Sequence, residues 1–281
     1  MDLYVLLIST LLIAFLAGAI GSFLGLGGGF IIVPALTLIL GVPIHFAIGA
    51  SFIGVLVNST SSSVVYLREG LTNIRLGALL EVGGLIGAIV GATLALSLGS
   101  NTLSVIFGVA LLFSAFVMIR RSKAPPVGDP VIRKNISKVP SSYLDRSRNS
   151  TVYYEPHHLE RGIGLSVIGG LFAGLLGVGG GSVLVPILVR VMGVPIKVAI
   201  ATSSYIIGIT ASAGALVFLS KGAIDVVIAV PTVLGVVFGA QLGSRAVRYA
   251  RGDAMRTIFV IAVVYISLQM IASGIGFGLP L

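Results

Sequence analysis

Two glycine-rich stretches carry most of the chemical interest in this chain, and neither depends on a reactive side chain. Gly25-Leu26-Gly27-Gly28-Gly29 and Gly177-Val178-Gly179-Gly180-Gly181 each precede a proline, Pro34 and Pro186, by five residues. Glycine accepts left-handed backbone that a side chain would resist, so such a run can end one helix and open another. At a helix start the first N–H groups have no partner, and the positive end of the dipole points outward. The N–H groups around Gly27, Gly28, Gly29, Gly179, Gly180 and Gly181 are therefore candidates for holding an anion. Ser51 and Asn58 follow the first motif, and Ser203, Ser204 and Tyr205 follow the second. These are neutral hydrogen-bonding groups, suited to an anion that must also be released. Gln241 is a further amide in a later apolar segment that could reach the same cavity. Interhelical hydrogen bonding is the other reading of the hydroxyls, and it fits most of the run from Asn58 to Ser63.

Other chemistries lack their residues. There is no Cys, so disulfides, thiolate metal sites and a Cys nucleophile are excluded. No HExxH zinc motif, Gly-x-Ser-x-Gly elbow or Walker A sequence occurs, which argues against an enzyme and against an ATP-driven pump. His157-His158 have no carboxylate or Cys arrangement around them, so neither a metal site nor a cofactor is expected. Glu81 is a carboxylate inside an apolar segment with Gly77, Gly84 and Ala88 on its helical face. It is a candidate proton relay.

The elements that position these groups must lie in a bilayer. Hydrophobic residues make up 56% of the 281, charged residues only 10%, and the mean hydropathy is +1.12. Apolar runs of membrane-crossing length, roughly 17–25 residues, recur along the chain. The segments do not alternate with period two, which excludes a transmembrane barrel. The 38 glycines suit closely packed membrane helices. Gly83-x3-Gly87-x3-Gly91 and Gly235-x3-Gly239-x3-Gly243 read as such packing faces. The net charge of +9 reflects basic loops, and no nucleic-acid partner is expected. The first segment has no basic residue before it and reads as structural, not as a cleaved signal.

A shift of 152 residues superimposes the halves without a gap, with 23 identities in the 74 positions from Gly18 to Gly91. It places Gly41-Val42-Pro43 on Gly193-Val194-Pro195 and Ser51 on Ser203. The expected organisation is transmembrane repeat 1 at 1–119, a basic inter-repeat linker at 120–161 with little fixed structure, and repeat 2 at 162–281. Each repeat is expected to be a re-entrant or broken helix pair around the Gly-rich break, followed by three transmembrane helices.

Loop charge favours the re-entrant form. If both short segments return to their starting side, 17 of the 18 Lys and Arg face the cytoplasm and only Lys221 lies outside. A continuous crossing in each repeat would split them 12 to 6. The re-entrant form inverts the second repeat relative to the first. It puts both termini outside the plasma membrane and the linker in the cytoplasm.

The paired Gly-x-Gly-Gly-Gly-x4-Pro motifs, Gly25–Pro34 and Gly177–Pro186, together with the Gly-Val-Pro after each, resemble the TauE/SafE family of sulfite exporter-like permeases. The resemblance covers nearly all of the chain except the linker. It implies a carrier for sulfite, organosulfonates such as sulfoacetate, or related small anions. It carries over onto the break glycines, Ser51 and Ser203. The expected partners are a small anion and the lipid bilayer, with a homodimer left open. An anion channel, or a transporter of another solute or of a metal cation, stays the alternative.

Overall fold

The computed structural model describes residues 3–119, 141–145, 150–246 and 252–276. Most of the basic linker, together with Arg248 and Arg251, lies outside the described residues.

Among the described residues, ten α-helices follow one another in two matching sets of five. The first set is α1 (Leu3–Leu24), α2 (Gly29–Pro34), α3 (Ile44–Arg68), α4 (Ile74–Ser97) and α5 (Ser100–Ile119). The second is α6 (Leu159–Leu176), α7 (Gly181–Pro186), α8 (Ile196–Ser220), α9 (Val226–Ala246) and α10 (Gly252–Ile275). Among the described residues, α1, α3, α4, α6, α8 and α9 are each long and apolar enough to cross a membrane. The protein is an all-α polytopic membrane protein.

Each short helix continues into a π-helical turn, Ala35–Ile39 after Pro34 and Ile187–Val191 after Pro186. Proline lacks the N–H that an α-turn needs and crowds the carbonyl four residues back. The wider turn after it is closed by five-residue bonds, from Leu40 N–H to the Ala35 carbonyl and from Met192 N–H to the Ile187 carbonyl. Gly41 and Gly193, both with positive φ, then turn the chain into Pro43 and Pro195, which start α3 and α8.

The second short segment runs back along the helix before it. Gly180 lies against Gly169 and Ala173, Leu184 against Gly169, and Met192 against Gly162 near the start of α6. The first follows suit, with Gly28 beside Ala17 and Gly21. The chain therefore folds back at each break.

The halves interlock. Helix α1 packs along α9, α6 along α4, α3 against both α8 and α9, and α5 against α10. The two three-glycine faces make the tightest of these seams. A Cβ on Gly87 would strike the Val167 carbonyl, and one on Gly239 would strike the Phe15 carbonyl. Phe15 and Val167 themselves differ by the same 152-residue shift, as do Ile48 and Ile200 beside Gly177 and Gly25.

The described part of the linker departs from the expectation of little fixed structure. Strands β1 (Ser141–Asp145) and β2 (Ser150–Tyr154) form an antiparallel hairpin with Tyr143 paired to Val152. Both of these side chains are buried. The Tyr154 hydroxyl accepts a 3.1 Å bond from the Asn73 amide, and His157 N–H bonds the Met192 carbonyl at 2.9 Å. Alternating apolar residues let the hairpin bury one face against the helices, a signal that the linker's Pro and charge content hid.

Candidate functional site

The break glycines have the backbone expected of them. Gly27 and Gly28 hold φ of 83° and 82°, and Gly179 and Gly180 hold 85° and 73°. An L-residue there costs roughly 1–2 kcal/mol. Space is equally closed: a Cβ on Gly28 or Gly180 would stand 2.7 Å from the carbonyl of Ala17 or Gly169.

The two breaks touch each other. Gly29 lies against the Gly177 carbonyl and Val178, while Gly181 lies against the Gly25 carbonyl and Leu26. Two serines tie this contact. Ser51 Oγ donates to the Gly177 carbonyl at 2.7 Å, and Ser203 Oγ donates to the Gly25 carbonyl at 3.0 Å. Each bond runs from the long helix of one half to the break of the other. Both hydroxyl protons are directed at carbonyls, and each oxygen retains lone pairs only. Val55 on α3 and Ile207 on α8 set their methyl groups against Gly27 and Gly179. These two aliphatic side chains were not foreseen, because nothing in an apolar helix marks one valine from another.

Asn58 is fully buried, and Gly28 lies close by: a Cβ there would be 3.6 Å from the amide nitrogen. Its Oδ1 accepts no hydrogen bond from the described protein. Ser59 and Ser63 on the same helix are also buried with unpartnered hydroxyls. Ser62 and Thr60 instead bond carbonyls of their own helix, at 2.8 Å to Asn58 and to Leu56. Ser204 is buried. Tyr205 lies against Gly77 on α4, on the side of α8 away from the breaks. Gln241 is exposed on the outer side of α9, so it does not reach this region. Its neighbours Ala240 and Gly243 take the inward positions, and helical spacing turns residue 241 away from them.

Glu81 is buried on α4 with both carboxyl oxygens unpartnered. No Lys or Arg is buried among the described residues. No group of three or more His, Asp or Glu side chains that could hold a metal ion occurs among them.

The profile of the family described as "Sulfite exporter TauE/SafE" matches residues 10–270. The chain is 29% identical over 267 residues to "Probable membrane transporter protein YunE" of Bacillus subtilis, covering 92% of this chain and 95% of that protein. It is 27% identical over 250 residues to "Probable membrane transporter protein MJ0441" of Methanocaldococcus jannaschii, covering 83% of each. A "Probable membrane transporter protein" of Xylella fastidiosa is 23% identical over 260 residues, 90% of this chain and 92% of its own. No solved structure matches the chain.

Proposed function

The chain belongs to the sulfite exporter TauE/SafE family, and from that premise we propose that it is a secondary transporter exporting small sulfur-containing oxyanions across the plasma membrane. Sulfite and organosulfonates such as sulfoacetate are the substrate class. The anion is held beside the Gly27–Gly29 break, with the Asn58 amide as its side-chain donor.

One observation carries this reading. The buried amide nitrogen of Asn58, a donor, faces Gly28 in an interior where no described Lys or Arg is buried. Without a fixed cation, an anion is held by amide and backbone dipoles, and such bonds to a charged group contribute about 1.5–3 kcal/mol each. That strength allows release as well as binding.

The reciprocal contacts between the breaks suit alternating access. Inverted repeats let one sequence build two conformations in which the halves exchange roles. Moving between them requires the Ser51 and Ser203 latches to slip; Ser51 makes one neutral hydrogen bond worth about 1 kcal/mol net, and Ser203 shares its proton between the Gly25 carbonyl and the Ile200 carbonyl of its own helix.

The test is counterflow in proteoliposomes with radiolabelled sulfite and sulfoacetate. Saturable uptake that speeds up when unlabelled substrate is placed on the other side supports a carrier. Non-saturating flux indifferent to trans substrate would make it a channel. Thermal stabilisation of the purified protein by a metal or organic cation, and by no anion, would overturn the anion reading.

A further inference from the structure

Glu81 is 8% exposed and is the one charged side chain among the buried described residues. Its position on α4 follows from its neighbours. Gly77, one turn before, lies against the Tyr205 ring and Thr202. Gly84, one turn after, lies against Thr210 and Ile206. Residues at these spacings share a helix face, so Glu81 lies on the α8 side of α4.

Helix α8 carries the other essential contacts on its opposite side. Ser203 bonds the Gly25 carbonyl, and Ile207 lies against Gly27 and Gly179. One helix therefore touches both the Glu81 seam and the breaks. Any shift of α8 that rearranges the breaks also changes what surrounds the carboxyl.

The groups that face this seam are few. From α8 they are the Tyr205 phenol and the hydroxyls of Thr202 and Thr210. Thr202 accepts from Asn73 N–H, and Thr210 bonds carbonyls of its own helix. Lys197 lies in the first turn of α8. From α6, Glu160 and Arg161 stand exposed at the helix start, and Arg75 is exposed in the first turn of α4 itself. From β2, the Tyr154 hydroxyl is taken up by Asn73. None of them hydrogen-bonds either carboxyl oxygen.

An ionised carboxylate enclosed without a partner is far costlier than a protonated one. Enclosure against α8 and occupancy by a proton are then linked equilibria. We propose that Glu81 is the proton-carrying residue of a proton-coupled transport cycle. The carboxylate takes a proton from hydronium on one side, so one hydronium O–H bond breaks, leaving water, as one carboxyl O–H bond forms. It is enclosed in that form and gives the proton to water on the other side once α8 has moved. Val233 occupies the equivalent position in the second half, so the repeat places no matching carboxylate there. The inference rests on the transport reading above.

The test uses wild type, Glu81→Gln and Glu81→Asp in proteoliposomes with radiolabelled sulfoacetate, whose acid groups stay ionised around neutral pH. Imposing a pH gradient should accelerate wild-type and Glu81→Asp flux. Glu81→Gln should lose that acceleration while keeping sulfoacetate exchange at equal pH. Infrared difference spectra of the purified protein should show a protonated-carboxyl stretch that titrates away with rising pH. That stretch should be absent from Glu81→Gln and shifted in Glu81→Asp. Gradient-driven flux intact in Glu81→Gln overturns the proposal, and so does the absence of the titrating band in wild type. If wild type moves no sulfoacetate, the substrate reading fails alone, and the infrared band still decides Glu81. Should Glu81→Gln not fold, the Glu81→Asp band shift decides it.

Discussion

The two halves share a scaffold and differ in what they leave unsatisfied. Their breaks, latches, π-turns and glycine seams recur at a constant shift. The buried polar side-chain atoms without a partner do not recur. Among the described residues they belong to Thr10, Thr37, Asn58, Ser59, Ser63, Thr72 and Glu81, all in the first half. The second half has Gly162, Val189, Thr210, Ala211, Ala215, Ile224 and Val233 at those positions. Only Thr210 keeps a polar group there, and it bonds the carbonyls of Ile206 and Ile207. The halves thus share the scaffold, and the unpartnered polar atoms among the described residues lie in one of them.

The largest effects should be blind to the difference between the halves. Gly87→Leu and Gly239→Leu should both abolish folded protein by size-exclusion chromatography, since each forces a side chain into a backbone carbonyl. Survival of one and loss of the other would break the scaffold equivalence. Next come Gly28→Val and Gly180→Val, which combine left-handed backbone with a carbonyl clash. Each should remove sulfite binding in calorimetry.

The decisive comparison is Asn58→Ala against Thr210→Ala. The first should weaken sulfite or sulfoacetate binding about ten-fold, equivalent to ~1.4 kcal/mol. The second should leave binding nearly unchanged, because its hydroxyl is already spent within its own helix. Equal losses would return the site to the symmetry axis between the breaks.

Smaller and again matched effects are expected at the latches. Ser51→Ala and Ser203→Ala should each lower the thermal midpoint by an amount corresponding to about 1 kcal/mol, with flux altered more than binding. A ten-fold loss of binding at either serine would make the hydroxyl an anion ligand instead. The chain has no native Cys, so topology can be read without background. Lys221→Cys should label from outside and Ser142→Cys only after permeabilisation.

Much of this was legible in the sequence because it is written in glycine, proline and charge. The breaks, the short segments after them, the glycine faces and the burial of Glu81 all follow from residues with few conformational options. The hairpin was missed because five prolines and many charges between Arg120 and Arg161 mask a short alternating stretch. Gln241 was misjudged because an amide on an apolar helix gives its type away but not its azimuth. Thr10, Thr37 and Thr72 could have been flagged by asking where the repeat alignment sets a polar residue against an apolar one.

The sequence by itself determined that this is a duplicated helical membrane protein broken at Gly25–Gly29 and Gly177–Gly181. Apolar length dictates crossing, and glycine runs dictate where a helix can stop. Only the tertiary structure decided which groups are spent and which are free. Ser51 and Ser203 match in the alignment like binding residues, yet each hydroxyl bonds the opposite break. Asn58 and Ser62 look alike as polar residues in one run, yet the Ser62 hydroxyl bonds its own helix while Asn58 leaves Oδ1 unpartnered and sets its amide nitrogen toward Gly28. Hydrogen-bond satisfaction depends on what lies within about 3 Å in space, and at Ser51 and Ser203 the groups at that distance come from the other half of the chain.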